Sequence, residues 1–148
     1  METAPRLPAI VYSRFAHCFD NCYLASMKFS LADPNDGYTI HAYSNTELVV
    51  GELRFTSSII ILPDRIISDW PIRAMEQLQT SDFEALLELK PDLVLLGTGE
   101  RQLFPSQDGY RCLTGAGIGL EIMNTPAACR TYNILVGEGR RVAAALIL

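Results

Sequence analysis

From Pro91 to Leu148 the apolar positions predict strand, loop, short helix, strand, helix and strand in unbroken succession. Leu93–Leu96 is apolar at every position and follows Pro91, as expected of a strand covered on both faces. It ends in Gly97-Thr98-Gly99. Gln107–Thr114 reads as a short helix that stops at Gly115 or Gly117, and Ile118–Met123 as the next strand. In the last helix Thr125 is placed to cap, Pro126 suits the first helical position, and Gly137 and Gly139 close it. Ala128, Tyr132, Leu135 and Val136 recur at helical spacing and predict its buried face. Val142–Leu148 is the closing strand.

The preceding stretch has a different period. The cluster Asp33-Pro34-Asn35-Asp36-Gly37 is a turn signal. Tyr38, Ile40 and Ala42 then alternate with Thr39, His41 and Tyr43, and Leu48–Phe55 continues as strand, with Gly51 read as a bulge. Ile59–Leu62 is a buried strand stopped by Pro63. Ile66 and Ile67 extend a strand toward Trp70, and Ala74–Gln79 favours helix by propensity. Ser81 and Glu84 fit a capping box for a helix that buries Phe83, Leu86 and Leu87, exposes Asp82, Glu84 and Glu88, and ends at Pro91. The fold class predicted is α/β: a three-layer single domain over residues 27–148, with helices packed on a central mixed sheet and an antiparallel N-terminal β-part. Residues 1–26 show no sustained period and are expected to be a poorly ordered extension.

Composition narrows the functions. The chain has 148 residues, 49% hydrophobic and 20% charged, with a formal net charge of −5. That balance argues against nucleic acid, whose phosphates require surplus Lys and Arg, and against docking to anionic lipid. No apolar stretch reaches bilayer length, so no integral membrane contact is expected. The N-terminus has no long apolar core of a secretory signal, and four cysteines in an ordinary core favour reduced thiols; the expected compartment is the cytoplasm.

Chemistry is sparse. In open α/β sheets ligands gather at strand carboxyl ends, which here means Gly97-Thr98-Gly99 and Asn124-Thr125. Backbone amides there offer an anion or small-molecule site, with Arg101 and Arg130 in reach. The glycines lack the G-x-G-x-x-G and Walker spacings, and a tight turn plus a helix cap is favoured over a phosphate site. His17, Cys18 and Cys22 have a spacing that metals tolerate, but a structural zinc needs four ligands, so no metal and no cofactor is assigned. Cys129 is read as a small buried hydrophobe rather than a nucleophile. Glu138 is read as pairing with Arg130 or Arg140 at the end of the last helix. Trp70 is read as core packing in preference to an exposed anchor. No nucleophile elbow accompanies either histidine.

Three stretches, "IIILPDRIISDW", "PDLVLLGTGE" and "LEIMNTPAACRTYNILVGEGRRVAAALIL", resemble the family of the mitochondrial respiratory complex I assembly factor 3 and its mostly uncharacterised bacterial and archaeal relatives. The resemblance runs from about Met27 to Leu148 and is densest in the final third. It implies a three-layer domain whose last strand is antiparallel to most of the others, no established enzyme activity or cofactor, and action through protein partners. It matches at Trp70, Gly97, Gly99, Met123, Thr125, Arg130, Thr131, Asn133 and Glu138. With Thr98 and Asn124, these outline the expected binding surface of a non-catalytic accessory or assembly-factor-like module. Residues 1–26 fall outside the resemblance, and Met27 fits the start of such a domain.

Overall fold

The structure, a computed structural model, describes residues 37–148. The 1–26 extension with its His17, Cys18 and Cys22, and the Asp33–Asp36 part of the turn cluster, lie outside the described residues. The protein is a three-layer α/β fold. Its central sheet has the order β5-β4-β8-β6-β7, built from β4 (Ile59–Leu62), β5 (Arg65–Ile67), β6 (Leu93–Gly97), β7 (Gly119–Met123) and β8 (Val142–Leu146). A smaller antiparallel sheet holds β1 (Ile40–Tyr43), β2 (Leu48–Val50) and β3 (Leu53–Phe55).

Strand alternation sorts the core into two layers. Ile59, Ile61, Leu93, Leu95, Val142, Ala144 and Leu146 point to one face, where they meet α3 (Thr125–Gly137) through Ala128, Cys129 and Tyr132, and the small sheet through Ile40, Leu48 and Val50. Ile60, Leu62, Val94, Leu96, Ala143 and Ala145 point to the other, where Phe83 and Leu86 of α1 (Thr80–Glu88), Leu113 of α2 (Arg111–Gly115), Trp70 and Ile72 cover them. This is why β4, β6 and β8 read as continuous apolar runs: both of their faces are buried.

Strand directions correct one expectation. β8 runs parallel to β6, which is parallel to β7, and is antiparallel only to β4. The reversed strand among these is β4, because the short β4–β5 hairpin and the crossovers through α2 and α3 impose opposite requirements: parallel neighbours need a helix-sized connection, and antiparallel ones do not.

Local punctuation departs from the sequence reading at three points. Gly51 is not a bulge; with φ of +60° it opens a two-residue turn that pairs Val50 with Leu53 and splits the strand into the β2–β3 hairpin. Helix α1 starts ahead of the expected box: Gln79 takes the cap position, and Asp82 reaches back to accept its amide at 2.8 Å. Asp82 is therefore buried rather than exposed. The propensity-favoured segment before it forms only a 3-10 turn, Met75–Gln77.

Candidate functional site

The parallel register sets Gly97 beside both Met123 and Leu146, so the carboxyl ends of β6, β7 and β8 form one rim. The two loops expected to meet there do so. The Thr98 amide donates to the Met123 carbonyl at 2.9 Å, and the Thr125 amide to the Gly99 carbonyl at 2.8 Å. In return the Gly99 amide donates to Thr125 Oγ1 at 2.8 Å, and that hydroxyl donates to the Ile147 carbonyl at 2.6 Å. The Thr98 hydroxyl donates to the Arg101 carbonyl at 2.6 Å and accepts from the Leu103 amide at 3.1 Å. Thr98 and Thr125 are accordingly buried with both hydroxyl functions used.

Gly97 makes this closure possible. A Cβ there would lie 2.9 Å from Leu146 Cδ2, closer than such contacts occur, and 3.1 Å from Thr125 Cα, tighter than most. Gly99 contributes in another way: at φ of +91° it turns the chain out of β6 in a region that L side chains resist.

The same bonds disfavour an anion at the start of α3. Thr125 gives its amide to Gly99, Pro126 has none, the Ala127 amide is capped by Asn124 Oδ1 at 2.9 Å, and the Ala128 amide is taken by the Asn124 carbonyl at 3.0 Å. An N-terminus recognises an anion through donors left over from the helix, and here none of the first-turn amides is left over. A cleft of about 370 Å³ does border this rim. It is lined by Arg73 and Arg101 but also by Glu76 and Glu100, so its charges offset one another.

The remaining expected surface residues have distinct tasks. Trp70, although part of the expected surface, is 3% exposed in the layer under α1 and out of a partner's reach; core packing is the role it takes. Its Nε1 has no hydrogen-bond partner among the described residues. Met123 is half-buried against α3, its sulfur accepting from the Thr131 hydroxyl at 3.5 Å. Three neighbours on α3 hold the first strand. The Tyr132 hydroxyl donates to the Tyr38 carbonyl at 3.0 Å. Asn133 accepts the Ile40 amide at 2.8 Å and donates to the Ile40 carbonyl at 2.7 Å, so its carboxamide replaces a missing neighbouring strand. Arg130 lies over the Tyr43 ring, 5.9 Å from its centroid, and donates to its hydroxyl. Glu138 is exposed at the end of α3 and joins none of the ion pairs among the described residues. The expected pairing with Arg130 or Arg140 does not form, because Arg130 is turned toward Tyr43.

Titratable groups fit a structural role. Burial pushes the Cys129 thiol up to about 12, out of the range of a nucleophile. Burial, with the charge of Asp64 adding to it, also raises the Tyr132 hydroxyl. Burial alone would raise the Asp64 carboxyl, but the Arg65 hydrogen bond and the charges of Arg141 and Arg65 together hold it below its usual value. Among the described residues no group of three or more His, Cys, Asp or Glu could hold a metal ion.

Sequence reasoning missed Leu103 and Phe104, 44% and 73% exposed beside the rim. An adjacent apolar pair between polar Gln102 and the loop-forming Pro105 was the available signal. It also missed Gln102, whose Nε2 donates to the Ile122 carbonyl at 2.9 Å. None of the described helices is long and apolar enough to cross a membrane.

Residues 40–147 match the family described as "Protein of unknown function (DUF498/DUF598)", and the chain belongs to that family. It is 34% identical over 73 residues to the 13 kDa major membrane protein of Francisella tularensis, covering 49% of this chain and 59% of that one. It is 32% identical over 110 residues to NADH dehydrogenase [ubiquinone] 1 alpha subcomplex assembly factor 3 of Bos taurus, covering 73% of this chain. The chain spans 59% of the length of each of these relatives. Among solved structures, an NMR structure of a Xanthomonas campestris protein superposes with a TM-score of 0.70 at 43% identity, covering 82% of this chain and 92% of that one.

Proposed function

We propose that this chain is a non-catalytic, protein-binding accessory module of the assembly-factor kind, that it works in the cytoplasm, and that a partner protein meets it at the rim of the β6, β7 and β8 strand ends. The observation that carries this reading is where the rim's polar atoms go. Thr98, Gly99, Asn124 and Thr125 spend their donors and acceptors inside the fold, on one another and on the backbone of Arg101, Ala127 and Ile147. An active site keeps such groups aimed at a substrate; a contact surface needs only shape and exposed side chains. Those are present at the rim in Leu103 and Phe104, with Arg130 one turn into α3, all exposed. The assembly-factor name of the relative with 32% identity supports a role through protein partners.

Site-specific photocrosslinking in the native cell tests it. A crosslinker replacing Phe104 or Arg101, both exposed beside the rim, is expected to capture one and the same protein, while one replacing Glu52, on the β2–β3 turn, captures none. Equal capture from all three positions, or no capture above the unirradiated control, would refute the reading. Fractionation of the same cells checks the compartment, and recovery in the membrane pellet after a salt wash would count against the cytoplasm.

A further inference from the structure

The free margin of the central sheet is where the protein-binding reading, on which this inference rests, can be made chemically specific. β7 is the last strand on its side and pairs only with β6. The Met123 carbonyl turns inward, toward the Thr98 amide, and the Ile122 carbonyl turns outward, toward Gln102. By strand alternation, Leu120 and Ile122 therefore direct both backbone groups away from the sheet. Among the described residues, only the Gln102 carboxamide meets any of these four groups. Contrast the clamp on β1: Asn133 is half-buried and satisfies both groups of Ile40, whereas Gln102 is exposed, makes one bond and can swing aside.

We propose that this margin takes an extended segment of a partner chain as a sixth strand, with a lysine or arginine set opposite Glu121 and an apolar residue resting on Leu103 and Phe104. Chains add to open sheet edges through main-chain bonds, and alternate side chains supply the specificity. Glu121 is exposed, lies on the α3 face in register with Leu95, and joins none of the ion pairs among the described residues. Its charge selects the partner. An added strand lies about 4.8 Å away, within reach of a basic side chain directly opposite. The same carboxylate excludes a second copy in the register that uses all the outward groups. Antiparallel self-pairing of Leu120 with Ile122 of the other copy would place the two Glu121 side chains in the closest, non-hydrogen-bonded position. Leu103 and Phe104 follow Gln102 in sequence, so the bond from Gln102 to Ile122 brings the exposed apolar pair to the same margin.

The test pans phage-displayed random octapeptides on the full chain and on its Glu121→Lys variant, whose fold is checked by amide dispersion. Expected are wild-type binders with Lys or Arg flanked by alternating apolar residues, weakened roughly tenfold or more by Glu121→Lys because like charges then face each other. The amide shifts they cause should centre on Leu120, Ile122 and Leu103. Recovery of no binders, equal binding to both chains, or shifts confined to other surfaces would each overturn the proposal. Photocrosslinking separates this from the reading beneath it. A Glu121→Lys chain that still captures the wild-type partner from Phe104 overturns the added strand alone, whereas a wild-type chain that captures nothing overturns the binding module itself.

Discussion

Replacing Asn133 by aspartate changes one group and almost no volume, yet it should loosen the small sheet from α3. The wild-type carboxamide both accepts the Ile40 amide at 2.8 Å and donates to the Ile40 carbonyl at 2.7 Å. A carboxylate keeps the first bond and loses the second, and it places an anion against a carbonyl oxygen in a half-buried setting. One lost hydrogen bond costs about 1 kcal/mol, and leaving the acceptor unmet brings the total to about 2 kcal/mol. Asn133→Ala loses both bonds and strands the amide of Ile40, which is 5% exposed, for about 3 kcal/mol. With a urea m-value of about 1–3 kcal/mol/M, the alanine variant should move the midpoint down by about 1–3 M. Amides of β1 should exchange faster while those of β6 keep their order. The aspartate variant carries a further signature. Its protonated form regains a donor toward Ile40, so its folded pKa is raised above the unfolded value of about 3.9. The recovered stability is fully present below that value and is lost as pH rises through the folded pKa. A midpoint change below about 0.3 M for alanine, or an aspartate deficit that does not shrink on acidification, would refute the view that this carboxamide serves as a surrogate strand.

Other consequences follow from the rim and the thiols. Gly97→Ala drives a Cβ to 2.9 Å from Leu146 Cδ2 and 3.1 Å from Thr125 Cα, and backbone cannot give way as a side chain can; calorimetry should find a loss of about 2 kcal/mol, and a loss under about 0.5 kcal/mol would mean the strand ends are not tightly closed. Cys129, buried with its thiol pushed up to about 12, should stay unreactive toward a thiol reagent in the native protein and, of the two described cysteines, half-buried Cys112 should react before it; mass mapping of the adducts decides. The Asp64 carboxyl, held below its usual value of 3.8 by Arg65 and Arg141 against the effect of burial, contributes stability above the unfolded pKa that is lost as pH falls through the folded one. Asp64→Asn should therefore flatten the acid limb of a stability profile below about pH 4, and an unchanged slope would show that the two arginines act elsewhere.

What the chain's pattern disclosed, and what it hid, divides by sequence distance. Buried strands and the ends of α3 are local facts: Ile59–Leu62, Leu93–Leu96 and Asn124-Thr125-Pro126 carry their own periodicity and caps, and the structure places them accordingly. The meeting of Gly97–Gly99 with Asn124-Thr125 was legible because two apolar runs around one short helix imply parallel neighbours. Gly51 misled because a lone glycine between apolar residues signals a bulge or a turn equally well, and only the pairing of Val50 with Leu53 separates them. Asn133 fits the pattern of a surface residue on α3, whereas its bonding partner lies 93 positions away in β1. The trace it leaves in the sequence is that asparagine is a poor helix former in mid-helix, tolerated where its side chain bonds to backbone.

That division bears on which residues deserve credit for function. A residue within a family pattern can be there to bind a partner or to shape the fold that does; Thr98, Thr125 and Asn133 belong to the second kind by their bonds, and Gly97 by its close packing. The groups near the rim left without an internal task are the outward edge of β7, Glu121, Leu103 and Phe104. Substituting members of the first set should lower stability and binding together, since the rim falls with the fold. Substituting members of the second set should lower binding while leaving the unfolding free energy within about 0.5 kcal/mol of wild type, the usual range for surface changes. Measuring both quantities on Thr125→Val and Phe104→Ser separates the two sets. If Phe104→Ser unfolds the protein as readily as Thr125→Val, the apolar pair is core that happens to be visible, and the docking margin has to be sought elsewhere on the sheet.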